Sequence, residues 1–350
     1  MDVNNLKINY RSIGTEHPAF LIAEVAQAHD GSLGMAHAYI DAAAEAGADA
    51  VKFQTHIADA ESTLDEPFRV RFSRQDSNRY DYWKRMEFTF EQWQGLAGHA
   101  REKGLVFLSS PFSRQAVNLL QKLDLPAWKI GSGESMSGDI LNAVMDTDKP
   151  VLVSTGMSTW QEIDALAAHF NQRNLPFALF QCTSKYPVEL SEVGLNVIQE
   201  IKERYNCPVG LSDHSGSIFP ALAAMAQCTD IIEAHIVFDK RMFGPDTSAS
   251  LTVQDFKLLS KARDAFHTML SNPVDKDQMV ESMHHLRGMF GKSLVSVRDL
   301  PAGTILTEDM LTAKKPGTGI PMDQKSSVLG KRLSRYVSMK KLLRWEDLDG

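Results

Sequence analysis

The stretch that decides the fold is "DIIEAHIVFDKRMFGPD", residues 230–246. Asp230 to Ile236 is short, apolar and β-branched, the pattern of a buried strand. Glu233 and His235 nevertheless sit two apart within it, and alternate side chains share a face along a strand. A buried strand with an acid and an imidazole on one side needs a place where charge is tolerated. Seven earlier runs have the same character: "FLIAEV" (20–25), "DAVKFQ" (49–54), "LVFLSS" (105–110), "AWKIGS" (127–132), "PVLVST" (150–155), "FALFQCT" (177–183) and "PVGLSD" (208–213). Amphipathic stretches separate them. "MAHAYIDAAAEAG" closes with Gly47 after its last turn, and "TWQEIDALAAHF" opens with Thr159 as N-cap and Glu162 at the capping-box position. Eight strand–helix alternations in this span predict an α/β chain built as a (β/α)₈ or TIM barrel. A doubly wound open sheet is the alternative, but its Gly-rich first turn is not what "EVAQAHDG" offers.

Composition bounds the rest. The chain has 350 residues and is 43% hydrophobic, enough for one large domain and a small one. No run reaches the roughly 20 apolar residues of a membrane span. The start, "MDVNNLKINYRS", lacks the layout of a secretory signal. Cys182, Cys207 and Cys228 are widely spaced, which argues against a disulfide frame or structural zinc and predicts a cytoplasmic setting. A net charge of -7 gives no general attraction to nucleic acid. Residues 286–350 hold 12 basic against 7 acidic residues, so a basic tail follows an acidic body. Anion binding, docking and a merely solvated surface all fit that asymmetry. The predicted domains are a barrel at 1–272, a polar linker at 273–285 around "SNPVDKDQ", and a small β-rich domain at 286–350, where "SLVSV" and "GTILT" are β-like runs.

Active groups in such barrels gather where strands enter their loops. Polar residues occur at all eight ends. They are Glu24 with His29; Lys52 and Gln54; Ser109 and Ser110; Lys129, Ser132 and Glu134; Ser154 and Thr155; Thr183, Ser184 and Tyr186; Ser212, Asp213 and His214; and Glu233 with His235. One buried lysine or histidine usually means a satisfied structural group. Eight polar ends are costly unless the groups pair or bind something. Two lysines among hydroxyls suit a small phosphorylated anion. His214 and His235, on adjacent strands, fit either a divalent metal or a hydrogen-bonded pair.

These residues lie in motifs with a wider likeness. "FLIAEVAQAHDG", "GADAVKFQ", "LSSPF", "WKIGSGE", "KPVLVSTGM", "QCTSKYP", "GLSDHSG" and "IIEAHIVFD…GPD" follow the order and spacing of the sialic acid synthase family, which the chain resembles over nearly its whole length. The tail, "SLVSVRDLPAGTILTEDML" and "KKPGTGI", resembles the family's SAF, or antifreeze-like, domain. The resemblance implies a synthase that condenses phosphoenolpyruvate with an N-acylated mannosamine-type sugar. It implies that Lys52, Ser110, Lys129, Ser132, Ser154, Ser184 and Ser212 hold phosphoenolpyruvate. It further implies that His214 and His235 bind Mn²⁺ or a similar cation such as Mg²⁺ or Co²⁺. Glu24, Glu134 and Lys129 would be the catalytic groups, and Gln54, Tyr186, Asp246 and Lys315 would meet the sugar. A homodimer is implied, with the small domain of one chain capping the partner's barrel.

The chain departs from the family pattern at Ala26, Ala28, Ala234, Thr247 and Lys315, mostly on the sugar side. These departures predict retained chemistry with an altered acceptor. Three other readings stay open. A sugar-phosphate acceptor is suggested by Arg69, Arg71, Arg74 and Arg79; a Schiff-base aldolase would use Lys52 or Lys129; and a non-catalytic carbohydrate-binding homologue would keep only the fold.

Overall fold

A computed structural model describes residues 6–349; residues 1–5, part of the start read above for a signal, lie outside the described residues. The chain divides into two compact units, 1–271 and 272–350.

The first unit begins with a small antiparallel hairpin, β1 (Leu6–Ile8) and β2 (Arg11–Ile13). Eight parallel strands follow: β3 (Phe20–Ala26), β4 (Ala50–Thr55), β5 (Val106–Pro111), β6 (Trp128–Ile130), β7 (Val151–Ser154), β8 (Phe177–Cys182), β9 (Val209–Asp213) and β10 (Ile231–Val237). Their order is β5-β4-β3-β10-β9-β8-β7-β6, with β5 and β6 facing each other across the seam of a nearly closed barrel. Around it stand α1 (Leu33–Glu45), α2 (Ala58–Glu61), α3 (Arg79–Met86), α4 (Phe90–Glu102), α5 (Arg114–Gln121), α6 (Gly138–Met145), α7 (Trp160–Gln172), α8 (Leu195–Arg204) and α9 (Phe219–Ala226). The short β11 (Leu251–Thr252) extends β10 and leads into α10 (Val253–Leu270). The barrel read from the alternation is therefore present, and each predicted strand is within a residue or two of its place.

Two apolar layers hold the barrel. Outward strand residues such as Leu21, Val51, Phe53, Val153 and Ile232 pack with the helices in one continuous core. Inward residues at the strand starts, among them Ile22, Ala50, Leu108, Leu152 and Phe180, form a second cluster with Leu6, Ile8 and Ile13 of the hairpin. The hairpin thus closes the lower end of the barrel with three side chains that are at most 2% exposed. At Gly210 a Cβ would come within 2.5 Å of the Phe180 ring, so only glycine fits beside that ring.

Helix ends follow the local chemistry expected of them. Thr159 and Glu162 form a reciprocal capping box on α7, and Thr89–Gln92 and Thr252–Asp255 do the same on α4 and α10. Gly47 has φ +81° just past α1, where a side chain would strain the turn and collide with Ser260.

The second unit contains α11 (Lys276–Ser282), α12 (His284–Phe290) and the antiparallel pair β12 (Ser293–Ser296) and β13 (Leu311–Lys314). Its core includes Leu294, Leu306, Ile320, Val328 and Leu343. The stretch 273–285, read as linker, carries α11. "SLVSV" contains β12, whereas "GTILT" contributes one isolated bridge, Ile305 to Arg332, instead of a strand. Among the described residues no helix is long and apolar enough to cross a membrane.

Candidate active site

Above the apolar floor the inward positions of the same strands turn polar, around a cavity of about 450 Å³. Lys52, Lys129, Glu24 and Glu233 are all at most 5% exposed there. Glu233 stands between the lysines, with Oε1 3.4 Å from Lys129 Nζ and Oε2 3.6 Å from Lys52 Nζ. Lys52 Nζ is also 2.9 Å from Glu24 Oε2. Hydroxyls extend the network. Lys52 donates to Ser110 Oγ (3.2 Å), Lys129 donates to Ser154 Oγ (2.6 Å), and Ser212 Oγ donates to Glu233 Oε1 (2.9 Å). Glu24 Oε2 and Glu233 Oε2 are buried and accept no aligned hydrogen bond, so among the described residues their polar contacts are the ion pairs with Lys52.

The electrostatics separate the two acids. Burial pushes the Glu24 carboxyl above the ordinary glutamate range, and the attraction of Lys52 only partly offsets it. Burial would also raise Glu233, but Lys129 and then Lys52 hold it below that range. Burial lowers Lys129 more than Glu233 raises it. Its contacts with Glu233 and Ser154 still favour the ammonium form. Burial likewise raises Lys52's cost of ionisation, yet Glu233 and Glu24 carry its pKa above the usual value.

One wall of the cavity is aromatic and imidazole. His214 and His235 have ring centroids 5.4 Å apart. His214 Nδ1 lies 3.0 Å from the Thr183 carbonyl and 3.8 Å from Cys182 Sγ, which turns Nε2 the other way. His235 has no hydrogen-bond partner among the described residues, and burial, then His214 and Lys52, keep it neutral. Tyr186 stacks on His214 at 4.0 Å, and the Arg69 guanidinium covers the other side of Tyr186 at 4.1 Å. Arg69 also donates to Asp246 Oδ1 (2.6 Å) and to the Pro245 carbonyl (3.1 Å).

A family model described as the NeuB family matches residues 39–275, and a SAF domain model matches residues 291–349. The chain belongs to the NeuB family. It is 33% identical to the N,N'-diacetyllegionaminic acid synthase of Legionella pneumophila, over 99% of each chain. It is 32% identical to the human N-acetylneuraminate-9-phosphate synthase, over 92% of this chain and 90% of the relative. The crystal structure of N-acetylneuraminic acid (sialic acid) synthetase from Leptospira borgpetersenii superposes with a TM-score of 0.71 at 28% identity, covering 81% of this chain and 97% of that one. This NeuB-family chain is an enzyme, a carbon–carbon bond-forming transferase.

Most of the site residues expected from the sequence of this NeuB-family member line the one cavity. They are Glu24, Lys52, Gln54, Ser110, Lys129, Ser132, Glu134, Ser154, Ser184, Tyr186, Ser212, His214, His235 and Asp246. Ser132 and Glu134 reach it from a 3₁₀ turn after β6 instead of from the strand itself, and Glu134 Oε2 accepts from Ser137 (2.7 Å). Lys315 belongs to the second unit, its ammonium 5.1 Å from the Phe290 ring centre. Five polar strand-end residues do not line the cavity. Ser109, Thr155, Thr183 and Asp213 bond to Thr55, the Phe180 carbonyl, the Glu192 carbonyl and Ser215. His29 packs its ring 4.8 Å from Phe88.

The sequence reading placed Glu233 with His235 at the mouth without giving it a role, and gave none to Gln27, His56, Glu61 or Cys182; all five line the cavity. For His56 the signal was available, since it continues the inward series of Lys52 and Gln54. Cys182 and Gln27 carry no such mark.

Proposed function

We propose that the chain joins phosphoenolpyruvate to the aldehyde of an uncharged acylamino aldose, giving a nonulosonic acid and inorganic phosphate. The observation that carries this reading is the buried pair Lys52 and Lys129, set among serine hydroxyls and sharing Glu233. With Glu233 ionised and Glu24 pushed toward its neutral form, the two ammonium groups leave net positive charge for a small polyanion. Arg69 and Arg79, the arginines that line the cleft, are already paired with Asp246 and Glu66. That pairing disfavours a phosphorylated acceptor. The adjoining wall of Phe68, Phe72, Phe112 and Met157 suits acyl methyl groups.

In this reading Ser110, Ser132, Ser154, Ser184 and Ser212 orient the phosphate and carboxylate that the lysines neutralise. The sugar lies against Gln54, Tyr186 and Asp246. Glu24, with its raised pKa, exchanges a proton near neutral pH, and Glu134 positions the water that adds at the carbon losing phosphate. Carbon–carbon bond formation precedes that addition, and phosphate then leaves.

The residues present fit a divalent cation such as Mn²⁺. His214 is oriented through Nδ1 by a carbonyl, as ligating histidines commonly are, and His235 is a neutral imidazole without a partner. Among the described residues no cluster of three or more His, Cys, Asp or Glu side chains is arranged to hold a metal, so these two would hold it in an open site. When bound it would supply Lewis acidity toward the aldehyde.

A homodimer, a sugar contact from Lys315 and a cytoplasmic setting belong to the same proposal; the three cysteines are free thiols, as a reducing compartment allows. The test is phosphate release from phosphoenolpyruvate with Mn²⁺ across N-acetylmannosamine, mannose, 2,4-diacetamido-trideoxyhexoses and sugar phosphates. Release with one uncharged acylamino sugar, lost on chelation and in His214→Ala, is expected. Release that requires a sugar phosphate, or none with any acceptor, overturns the proposal.

A further inference from the structure

Beside the lysine pair lies a second polar chain, which leads to Gln54 and Glu24 from His56, Glu61 and Gln27, three residues the chemistry above does not use. His56, 5% exposed, is stacked between Trp83 (3.8 Å, 13°) and Phe112 (4.3 Å, 19°). Its Nδ1 is 2.5 Å from Glu61 Oε1 and its Nε2 is 3.3 Å from Gln54 Oε1. Gln54 Oε1 also accepts from Gln27 Nε2 (2.7 Å), and Gln54 Nε2 donates to Glu24 Oε1 (3.0 Å).

An amide has one acceptor end and one donor end, and the two look alike in shape. What decides its orientation is the set of groups around it. Here the Gln27 NH₂ donates to the oxygen and His56 Nε2 faces it; with Nδ1–H turned to the Glu61 carboxylate, Nε2 donates when the ring carries its second proton, and the Gln54 NH₂ group is left facing Glu24. The imidazole cannot rotate away, because an aromatic ring covers each face and Glu61 holds the far nitrogen. Glu61 comes from α2, only five residues after His56, so one short segment builds both the clamp and its anchor.

We propose that His56 is a positioning residue that fixes the Gln54 amide, and through it the Glu24 carboxyl, in the working orientation. The catalytic part of this statement rests on the function proposed above; the structural part does not. Without the His56 contact only Gln27, an amide that can itself turn over, holds the Gln54 oxygen, and a turned Gln54 would set its oxygen against the Glu24 oxygen. Groups that orient a reacting side chain in this way commonly matter 10- to 100-fold in activity, so about that loss is expected.

The test uses the full-length protein and three variants. His56→Phe keeps the ring stack but has no nitrogen. His56→Asn keeps a donor toward Glu61 but does not reach Gln54. His56→Gln restores a donor at the position of Nε2. The first readout is the side-chain ¹⁵N–¹H₂ resonance of Gln54, assigned by its loss in Gln54→Leu. A single dispersed pair is expected in the wild type and in His56→Gln, and exchange-broadened or averaged signals in the other two.

The second readout is turnover. In His56→Phe and His56→Asn, kcat should fall roughly 10- to 100-fold while KM for phosphoenolpyruvate stays within about 2-fold. His56→Gln should recover most of kcat. Unchanged Gln54 resonances in whichever of the first two variants folds would overturn the proposal. So would an equal loss in His56→Gln. If the wild type releases no phosphate with any acceptor, the functional reading fails separately, and the Gln54 resonance alone decides the placement of His56.

Discussion

The floor and the mouth of the barrel use the same strands, the same inward face and the same hydrogen-bond ladders. β4 presents Ala50 to the floor, then Lys52 and Gln54 to the mouth; β10 presents Ile231, then Glu233 and His235; β7 presents Leu152, then Ser154. Two residues advance a strand by about 7 Å. Within that distance the interior changes from a dry apolar plug to a set of buried charges. The floor gains stability from burial, whereas the mouth holds buried groups whose desolvation is outweighed by pairing at Glu233 and Lys52 but not at Glu24 and Lys129. The difference teaches that the frame is secured at one end so that the other can be arranged for chemistry.

The largest expected effect lies at the centre of the mouth. Glu233→Gln keeps the shape and the Ser212 contact but removes the charge that balances Lys52 and Lys129. Turnover should fall on the order of 10²–10³-fold, the scale for losing one preorganised electrostatic group. KM for phosphoenolpyruvate should not rise, because the freed lysines hold an anion at least as well. Steady-state phosphate release measures both, and an unchanged kcat would erase the distinction between the two ends.

The reverse change belongs to the floor. Leu108→Ala, at a fully buried inward position below Ser110, should cost about 2–5 kcal/mol of stability. Turnover per folded molecule should stay near that of the wild type. Urea unfolding followed by tryptophan fluorescence reports chiefly on the first unit, which holds four of the five tryptophans. If kcat collapses while stability holds, the floor is part of the catalytic machinery and the comparison breaks.

Acidity sharpens the contrast within the mouth. The folded pKa of Glu24 is raised by burial, so its contribution to stability is full below the ordinary glutamate value of about 4.3 and is lost as pH rises through the higher folded value. Glu233 is opposite. Its folded pKa is held down by Lys129 and Lys52 against burial, so its contribution is present above the ordinary value and lost as pH falls. Unfolding free energies measured across the acid and neutral range should therefore lose their neutral-side slope in Glu24→Gln and their acid-side slope in Glu233→Gln. A shared slope change in both variants would mean that the two carboxyls titrate as one unit.

The barrel was readable because its signal is periodic. Lys52 with Gln54 and Glu233 with His235 share a face by the alternation of any strand, and a strand's inward face persists along its length. The same rule explains what was misread. Ser109, Thr155 and Asp213 fall on the alternate, outward positions, where neighbouring side chains and carbonyls satisfy them. His29 lies past the end of β3, where no period applies and contact with Phe88 decides its direction. The hairpin of β1 and β2 has three residues per strand, too few to show a pattern, and gains its place only by packing under the barrel. The pairing of Glu233 with two lysines from distant strands likewise exists only once the barrel closes.

The smallest expected effect lies outside both ends, in the helix ring. Thr159 caps α7 just beyond the turn that follows Ser154 and carries Gly156; its backbone N–H donates to Glu162 Oε2 (2.7 Å), and its hydroxyl accepts from the Glu162 N–H (3.4 Å). Thr159→Ala removes one side of this exposed pair and should cost about 1 kcal/mol in a urea titration. The cap is five residues from Ser154, and Gly156 between them has no space for a side chain: a Cβ there would lie 2.7 Å from Ser184 Oγ. The turn is therefore held from the site side as well as from the helix. If that packing fixes the mouth, the weakened cap leaves KM for phosphoenolpyruvate unchanged. A rise in KM with the same small loss of stability would show that the helix ring, and not the strands alone, sets the position of the serine hydroxyls at the mouth.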